Sequence, residues 1–512
     1  MYQQDKSVLS VDLLVIGGGI NGTGVARDAA GRGLSVALCE QDDLAQYTSS
    51  SSTKLIHGGL RYLEHYDFKL VRHSLREREV LLRSAPHIIW PMRFILPHHR
   101  ALRPRWLIRL GLFLYDHLGK RILLPGSNGV DLRKHVSGGV LKPEFTHGFE
   151  YSDCWVQDAR MVVLNAMDAK ERGAVVMTRT RCAGLLRNQD QWEATLELRE
   201  SSELIKVHAR AIVNAAGPWV EQVAGLDPGS QSAHGIRLVK GSHIIVPSLF
   251  EHNYAYIFQN KDDRILFAIP YESDFTLLGT TDVEIESDPA QVTVSDEEID
   301  YLCHSANQYF ARELTPDDVV AKYAGVRPLF DDAKANASKT TRDYVLHIDN
   351  EGPPLVSIYG GKLTTFRRLS EEVMDMLANP LRADSGAWTT TGVLPGGDFD
   401  AADYAGFEAE CKSRYPWCDK FLVTRLARNY GTRIDHILSR ARSMNELGQH
   451  FGAGLYQAEV SYLIENELAM SAEDILVRRT KLGLHGGQSL AQSLGDWFLK
   501  EFTKKVSTIP VA

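Results

Sequence analysis

A glycine-rich turn within residues 14–40 most constrains what this chain can fold into. The turn matches G-x-G-x-x-G through Gly17, Gly19 and Gly22, between an apolar run and a stretch of small residues. A second apolar run follows and ends at Glu40, about 20 residues further on. In a strand–turn–helix–strand unit, such glycines let a pyrophosphate approach the helix N-terminus, and the acid accepts hydrogen bonds from ribose. The sequence therefore predicts a Rossmann-like unit that binds an adenine dinucleotide, either FAD or NAD.

The composition limits the classes of protein to which the chain can belong. A length of 512 residues predicts two or three domains, and a net charge of −8 argues against a nucleic-acid-binding protein. The six cysteines form no C-x-x-C pair, so no metal or iron–sulfur site is predicted. No signal peptide is evident, and no apolar run approaches the ~18 residues of a membrane-spanning helix. Any membrane contact is therefore expected to be peripheral.

A basic and aromatic segment at residues 90–121 departs from this acidic character. Within residues 93–121, seven arginines and lysines stand against one acid, Asp116, and aromatic side chains such as Trp106 are interleaved with them. This mixture is typical of a patch for anionic lipid headgroups. It is equally typical of a basic solvated face whose apolar side packs internally. The residues alone leave both interpretations open.

The hydrophobic patterns predict a fold of the α/β and α+β classes. The proline-punctuated stretch 61–125 and residues 153–172 are predicted to be helical. Short alternating runs between residues 236 and 283 predict an antiparallel sheet, separate from the parallel one. Beyond residue 397 the pattern is helical, which predicts a domain boundary near residue 388.

Several long motifs carry a family resemblance. They are TSSSSTKLIHGGLRYLEHYDF (48–68), VNAAGPWV (213–220), IRLVKGSHIIVP (236–247), LLGTTDVE (277–284), AGVRPL (324–329), YGGKLTTFRRLSEE (359–372) and RRTKLG (478–483). With these motifs the chain resembles, over essentially its whole length, the bacterial FAD-dependent, quinone-linked glycerol-3-phosphate dehydrogenases. These belong to the D-amino-acid-oxidase-like flavoenzymes. The resemblance implies non-covalent FAD as the cofactor and oxidation of sn-glycerol 3-phosphate to dihydroxyacetone phosphate, with hydride passing from C2 to flavin N5.

The resemblance also implies how the chain is divided. A Rossmann-like FAD-binding domain is expected at about residues 1–75, 150–235 and 330–388, an antiparallel β substrate domain at about 76–149 and 236–329, and an α-helical C-terminal domain at 389–512. The C-terminal part shows no catalytic constellation. We therefore expect it to support the fold or to provide the surface of a homodimer.

Two histidines are candidates for the general base. His57 lies in His-Gly-Gly-Leu-Arg, a motif that the family places against the flavin. A histidine near its usual pKa can accept a hydroxyl proton around neutral pH. His243, in Lys-Gly-Ser-His, is the alternative base, and it could instead orient the substrate or only pack.

Cationic side chains in turns are the candidates for binding the substrate phosphate. Arg61, Arg327 and Lys362 lie in glycine-rich or proline-adjacent sequence, so their side chains are expected to converge on one pocket. Arginine offers a phosphate a planar fork, and lysine offers a point charge. The resemblance adds Tyr62 to the substrate-binding residues.

The remaining candidates would hold the cofactor. Thr48, Ser49 and Ser50 are expected near the pyrophosphate, and Gly217 near the adenosine half. Gly361, Leu363 and Thr364 lie in a turn before a helix, where backbone amides could stabilise negative charge at the flavin N1–C2=O edge. The alternative is an ordinary helix cap formed by Thr364 or Thr365.

The resemblance implies ubiquinone or menaquinone as the electron acceptor. It places the protein peripherally at the cytoplasmic face of the inner membrane. The alternative is an oxygen-using glycerol-3-phosphate oxidase that produces hydrogen peroxide. A third hypothesis, from another class, is a non-enzymatic or RNA-modifying flavoprotein, against which the absence of a nucleic-acid signature weighs.

Overall fold

Two large β-sheets and a group of C-terminal helices make up the described chain. The computed structural model describes residues 8–65, 67–99, 102–119, 121–229, 235–262, 264–331, 343–383 and 385–507. The strands are β1 (Val8–Ile16), β2 (Val36–Cys39), β3 (Leu55–Ile56), β4 (Ile89–His98), β5 (Asn128–Asp131), β6 (His147–Val156), β7 (Val175–Met177), β8 (Thr180–Arg187), β9 (Trp192–Leu198), β10 (Leu204–Asn214), β11 (Gly235–Pro247), β12 (Tyr254–Gln259), β13 (Ile265–Tyr271), β14 (Phe275–Gly279), β15 (Val283–Ile285), β16 (Ala321–Asp331), β17 (Val345–Asp349), β18 (Leu355–Tyr359), β19 (His450–Gly452) and β20 (Leu455–Tyr456). The α-helices are α1 (Ile20–Gly31), α2 (Phe68–Ser84), α3 (Arg105–Leu118), α4 (Asp158–Glu171), α5 (Val220–Ala224), α6 (Asp296–Asn307), α7 (Phe366–Leu381), α8 (Tyr404–Arg414), α9 (Lys420–Tyr430), α10 (Ile434–Leu438), α11 (Gln457–Glu467) and α12 (Gly483–Ser507).

The first sheet has the strand order β17–β18–β10–β1–β2–β7, with the β8–β9 hairpin attached to β10. The pairs β18–β10, β10–β1, β1–β2 and β2–β7 are parallel. Helix α1, which connects β1 to β2, packs closely against α7, because a Cβ atom at Gly24 would lie 2.6 Å from Ser370 Oγ. Because β1, β2 and β10 are parallel, their carboxyl ends meet at one edge of the sheet. This edge is the usual ligand position in an open parallel sheet.

The second sheet follows the order β15–β11–β14–β13–β12–β4–β6–β3, with β16 on β11 and β5 on β6. Its pairs are antiparallel except β12–β4. Helix α6 covers one face through Leu302, and helices α2 and α3 contribute Leu75 and Leu112 to a separate cluster. The predicted fold class, a Rossmann-like part, an antiparallel sheet and a helical C-terminal part, is confirmed.

The C-terminal helices α8–α12 enclose a core of their own. Buried ion pairs join this part to the rest of the chain. One Asp43 oxygen lies 2.6 Å from both Arg478 Nε and Arg479 Nη1, and Arg160 pairs with Glu467. The acidic and basic partners are almost fully buried, so each depends on the other for a counter-charge.

Two secondary-structure predictions need correction. Stretch 61–125 is not helical throughout, since strand β4 lies between α2 and α3 and contains Pro91 and Pro97. The helix predicted over residues 153–172 begins only at Asp158, because Asp153 still belongs to β6. The domain limits stay a prediction; α2, β6, β11 and β16 each cross one of them.

The basic and aromatic segment 90–121 is likewise divided between a strand and a helix. Its β4 part is largely buried, and α3 is amphipathic, with Trp106 69% exposed and Tyr115 buried. Arg100 and Lys120 lie outside the described residues. Among the helices that the structure describes, none is long and apolar enough to cross a membrane.

Candidate active site

A cavity of about 770 Å³ is lined by the carboxyl edge of the first sheet and by the second sheet. Its size suits a large ligand. Most predicted site residues line it, although they come from distant parts of the chain. They are Gly17, Gly19, Glu40, Thr48, Ser49, His57, Arg61, Tyr62, Gly217, His243, Arg327, Gly361, Lys362, Leu363 and Thr364.

The glycine turn leaves open backbone at the N-terminus of α1. Gly17 has φ +112°, and its Cβ atom would lie 2.5 Å from the Ala215 carbonyl oxygen. A Cβ atom at Gly22 would collide with the Gly17 carbonyl oxygen, so Gly22 lies behind the turn and does not line the cavity. At Gly19 a Cβ atom would meet only Ser49 Oγ, at 3.1 Å. The turn thus has the shape that a pyrophosphate needs.

Glu40 follows β2 and turns its carboxylate toward this turn. The carboxylate accepts hydrogen bonds from the Gly18 N–H at 2.6 Å and the Asp42 N–H at 2.9 Å. Burial raises the pKa of Glu40 to about 7, and the nearby Asp43 charge adds to this rise. A carboxylate in this position is also an acceptor for ribose hydroxyls.

The hydroxyl-rich segment after β2 borders the cavity with some of its residues. Ser49 Oγ accepts a hydrogen bond from the Ile20 N–H at 3.0 Å, and Thr48 Oγ1 donates to the Val326 carbonyl at 2.7 Å. Both residues line the cavity. Ser50, in the same short 3₁₀ turn, donates instead to the Tyr47 carbonyl at 3.2 Å and is outside the cavity lining.

The loop between β18 and α7 closes another side of the cavity. Gly361 has φ +104°, which favours glycine, and Thr364 exchanges hydrogen bonds of 3.3 and 3.4 Å with the backbone of His57. Thr365 occupies the N-cap position of α7, but its side chain makes no capping hydrogen bond. The loop is therefore held by contacts to the His57 segment and not by a side-chain cap.

His57 is partly buried at the cavity wall. Burial lowers its pKa, the Asp153 carboxylate acts in the opposite direction, and Lys362 and Arg78 lower it further. The imidazole is therefore neutral around pH 7, which is the state that a general base requires.

His243 is more enclosed than His57. It lies on β11 between β14 and β16, and its ring stacks on Tyr323 with centroids 4.8 Å apart. Its Nε2 is 3.0 Å from Thr53 Oγ1. Burial, then the charges of Lys54 and Arg327, lower its pKa well below the usual value. The structure thus brings both candidate histidines to one cavity, each in the neutral state.

Cationic side chains converge on the same cavity. The Lys362 Nζ atom is buried and lies 4.2 Å from the centroid of the Tyr62 ring. Arg327 pairs with Asp282 and donates to Thr280 Oγ1 at 3.2 Å. Arg61 also lines the cavity. This set has the chemistry to bind a phosphate dianion.

Three residues at the site were missed from the sequence. Thr53 hydrogen-bonds to His243, and Tyr115 and Asp153 form a hydrogen-bonded pair near His57. Thr53 lies inside a quoted motif and could have been found there. Tyr115 and Asp153 carry no local signal, because only the folded sheet brings them together.

The comparisons with known proteins match this architecture. Residues 12–367 match the family described as FAD dependent oxidoreductase. The chain belongs to this family. Residues 387–498 of this oxidoreductase match the C-terminal domain of alpha-glycerophosphate oxidase. The predicted family and the predicted cofactor, FAD, are confirmed.

Individual relatives of the oxidoreductase cover nearly its whole length. It is 53% identical to a glycerol-3-phosphate dehydrogenase from Pseudomonas aeruginosa, over 96% of this chain and 95% of that protein. It is 51% identical to D-erythritol 1-phosphate dehydrogenase from Brucella abortus, over 95% of this chain and 97% of that protein. A solved structure of the glycerol-3-phosphate dehydrogenase from Bacillus halodurans with FAD has a TM-score of 0.79 and 29% identity, covering 96% and 91% of the two chains.

The residues of this oxidoreductase fit FAD. The open turn at Gly17 and Gly19 suits the pyrophosphate, and the Glu40 carboxylate suits the ribose. The 360–364 loop lies beside the start of α1, where the Asn21 amide donates to the Gly360 carbonyl at 3.1 Å, and it lines the same cavity as the turn.

Proposed function

We propose that this enzyme oxidises sn-glycerol 3-phosphate to dihydroxyacetone phosphate. The observation that carries the proposal is the convergence of Arg61, Arg327 and Lys362 with two neutral histidines on one dinucleotide cavity. The name and 53% identity of the Pseudomonas relative support the same substrate. When bound, FAD accepts the hydride that leaves C2 of the substrate.

The cationic residues hold the phosphate and so place the secondary alcohol. Lys362 Nζ has no hydrogen-bond acceptor among the described residues, so an anionic ligand there relieves the cost of burying its charge. Arg327 already has Asp282 as a partner, which holds its guanidinium at the cavity wall before substrate arrives. Arg61 supplies a further positive charge.

His57 takes the hydroxyl proton of the substrate in this proposal. Its lowered pKa keeps the ring neutral, and it lies in the segment bound by the 360–364 loop. His243, fixed by Thr53 and Tyr323, acts as an orienting group. Loss of the hydroxyl proton to His57 and of the C2 hydride to the cofactor balances the conversion of alcohol to ketone.

A membrane quinone, ubiquinone or menaquinone, is the proposed electron acceptor. Support comes from α3, whose outer face exposes Trp106, Leu110 and Phe113 beside Arg105 and Arg109. Such a face suits the surface of an anionic bilayer, where a lipid-soluble acceptor resides. We therefore propose a peripheral enzyme at the cytoplasmic face of the inner membrane. The alternative acceptor is oxygen, which would make the protein an oxidase.

The deciding experiment is an anaerobic titration of the yellow holoenzyme with glycerol 3-phosphate, followed by addition of a quinone analogue. The expected result is bleaching by substrate and rapid reoxidation by quinone, faster with anionic vesicles. Rapid peroxide release in air without any effect of quinone or vesicles would favour the oxidase. Absence of bleaching would exclude the substrate.

A second substrate follows from the Brucella relative, which is named for D-erythritol 1-phosphate. Both compounds are polyol phosphates, so the same cations and the same base serve both. We propose glycerol 3-phosphate as the better substrate, with the higher kcat/KM. The reverse ratio in a direct comparison would assign the larger polyol phosphate.

A further inference from the structure

A buried hydrogen-bonded network lies directly behind the His57 segment. At its centre is Asp153 on β6, which is 2% exposed and lines the cavity. Its carboxylate accepts from Arg78 Nη1 at 2.6 Å and from the Tyr115 hydroxyl at 2.7 Å. The Gly58 N–H points to the same oxygen at 3.3 Å. Three separate segments of chain thus meet at one carboxylate.

Tyr115 connects this carboxylate to the backbone next to His57. The Tyr115 hydroxyl donates to Asp153 and accepts from the Gly58 N–H at 2.8 Å, so its hydrogen bonds are satisfied. A Cβ atom at Gly58 would lie 2.7 Å from that hydroxyl, so only glycine fits there without a shift. Tyr115 therefore holds the peptide that immediately follows His57.

The network also sets the charge around His57. Arg78, on α2, is buried and paired with Asp153, and this charge raises the pKa of Arg78 although burial opposes it. The groups that act on His57 are Asp153 from β6, Arg78 from α2 and Lys362 from the 360–364 loop. Burial lowers the pKa of His57 most, and among these charged groups only the Asp153 carboxylate raises it, so the carboxylate helps the ring to accept a proton.

We infer that Tyr115 and Asp153 are positioning residues, which fix the His57–Gly58 turn and hold the imidazole ready for the substrate hydroxyl. The inference rests on the proposed role of His57 as base. It also makes α3 part of the catalytic apparatus, because the helix that exposes Trp106 is the helix that carries Tyr115.

The test uses Tyr115→Phe in the full-length holoenzyme, with Tyr256→Phe as a matched control. Tyr256 is also fully buried, and its hydroxyl likewise has two hydrogen-bond partners, the Ser137 carbonyl and His252 Nε2, but it lies outside the cavity lining. In Tyr115→Phe we expect FAD bleaching by glycerol 3-phosphate to slow by 10- to 100-fold, with KM changed less than threefold and FAD content retained. Tyr256→Phe should bleach at the wild-type rate.

Hydrogen–deuterium exchange supplies a measurement independent of turnover. The peptide containing Gly58 should exchange at least tenfold faster in Tyr115→Phe, while peptides of α1 and β11 keep their wild-type rates. Wild-type exchange at Gly58 together with wild-type bleaching would overturn the inference. A uniform rise in exchange throughout the chain would also overturn it, because it would show a general loss of stability.

Asp153→Asn provides a second variant. Removing the carboxylate should lower the pKa of His57 and so move the acidic limb of the pH profile of the bleaching rate to lower pH. An acidic limb at the wild-type pH would contradict the inference. Failure of the proposed function can be distinguished from failure of this inference. If His57→Ala bleaches at the wild-type rate, the base assignment fails, whereas slow His57→Ala with unchanged Tyr115→Phe rejects only the positioning role.

Discussion

The Nζ atom of Lys362 lies 4.2 Å from the centroid of the Tyr62 ring, and the described residues offer it no hydrogen-bond acceptor. The ring face gives the ammonium group partial compensation for its burial. A phosphate oxygen would give it a charged hydrogen bond as well.

Lys362→Met should therefore weaken substrate capture. A charged hydrogen bond contributes about 1.5–3 kcal/mol, so KM for glycerol 3-phosphate should rise roughly 10- to 150-fold, with a smaller change in kcat. Steady-state kinetics with a quinone analogue measure both values. Lys322→Met is the control, because Lys322 donates to the Val294 carbonyl and does not line the cavity. An unchanged KM in Lys362→Met would exclude it from the phosphate site.

Arg327→Ala should also act mainly on KM. The substitution removes a guanidinium and leaves the Asp282 carboxylate facing the cavity, where it repels a dianion. We expect at least a tenfold higher KM and a less than fivefold lower rate of FAD bleaching at saturating substrate. Arg312→Ala removes an arginine from an exposed pair with Asp318 and should change neither quantity. Equal losses in KM and bleaching rate would point to a different role.

His57→Ala should lower turnover far more than FAD content, because the base is lost while the dinucleotide contacts remain. In the wild type, burial lowers the pKa of His57 below its usual value of 6.5. A base works when unprotonated, so the acidic limb of the bleaching rate should have its midpoint below pH 6.5. Stopped-flow bleaching across pH measures this limb. A limb above pH 7, or a wild-type rate in His57→Ala, would contradict the assignment.

Glu40 should make the apoprotein less stable as pH rises. Its folded pKa of about 7 lies above the usual 4.5, so the folded state binds the proton more tightly. The stability that this adds is full below pH 4.5 and is lost as pH rises to about 7. Denaturant unfolding of apoprotein at pH 5 and pH 8 measures the loss. In Glu40→Gln the loss of stability between pH 5 and pH 8 should be smaller. An identical loss in the variant would assign the pH dependence to other groups.

Asp43→Asn should destabilise the whole chain, because it leaves Arg478 and Arg479 buried with less counter-charge. Breaking a buried pair of this kind costs about 3–5 kcal/mol of unfolding free energy. Chemical denaturation of the holoenzyme gives the value. Glu197→Gln, which breaks a largely exposed pair with Arg181, should leave the midpoint nearly unchanged. An equally small effect in Asp43→Asn would contradict this prediction and would show that the structure around Arg478 and Arg479 relaxes.

The sequence motif predicted an adenine dinucleotide, because its signal is local. The spacing of Gly17, Gly19 and Gly22 reflects one strand, one turn and one helix. The roles proposed for His57 and Lys362 needed the family resemblance, since a lone histidine or lysine has no distinctive spacing. The structure brings both to the same cavity.

Other features depend on long-range contacts and could not be predicted. Strand β4 looks like a break between helices, because Pro91 and Pro97 are unusual within a strand. It forms because β6 pairs along its whole length. Tyr115 and Asp153 are 38 residues apart, and each resembles an ordinary buried polar residue in sequence. Their relation appears only when α3 packs on the second sheet.

The pairing of Asp43 with Arg478 and Arg479 has a consequence for synthesis. The two sides are 435 and 436 residues apart in the chain. During translation, the nucleotide-binding turn is made first, yet the neighbouring Asp43 charge stays uncompensated until almost the whole protein has been produced. A nascent chain that stalls before residue 478 therefore lacks both buried partners of Asp43, so this contact between the C-terminal part and the nucleotide-binding part can form only near the end of synthesis.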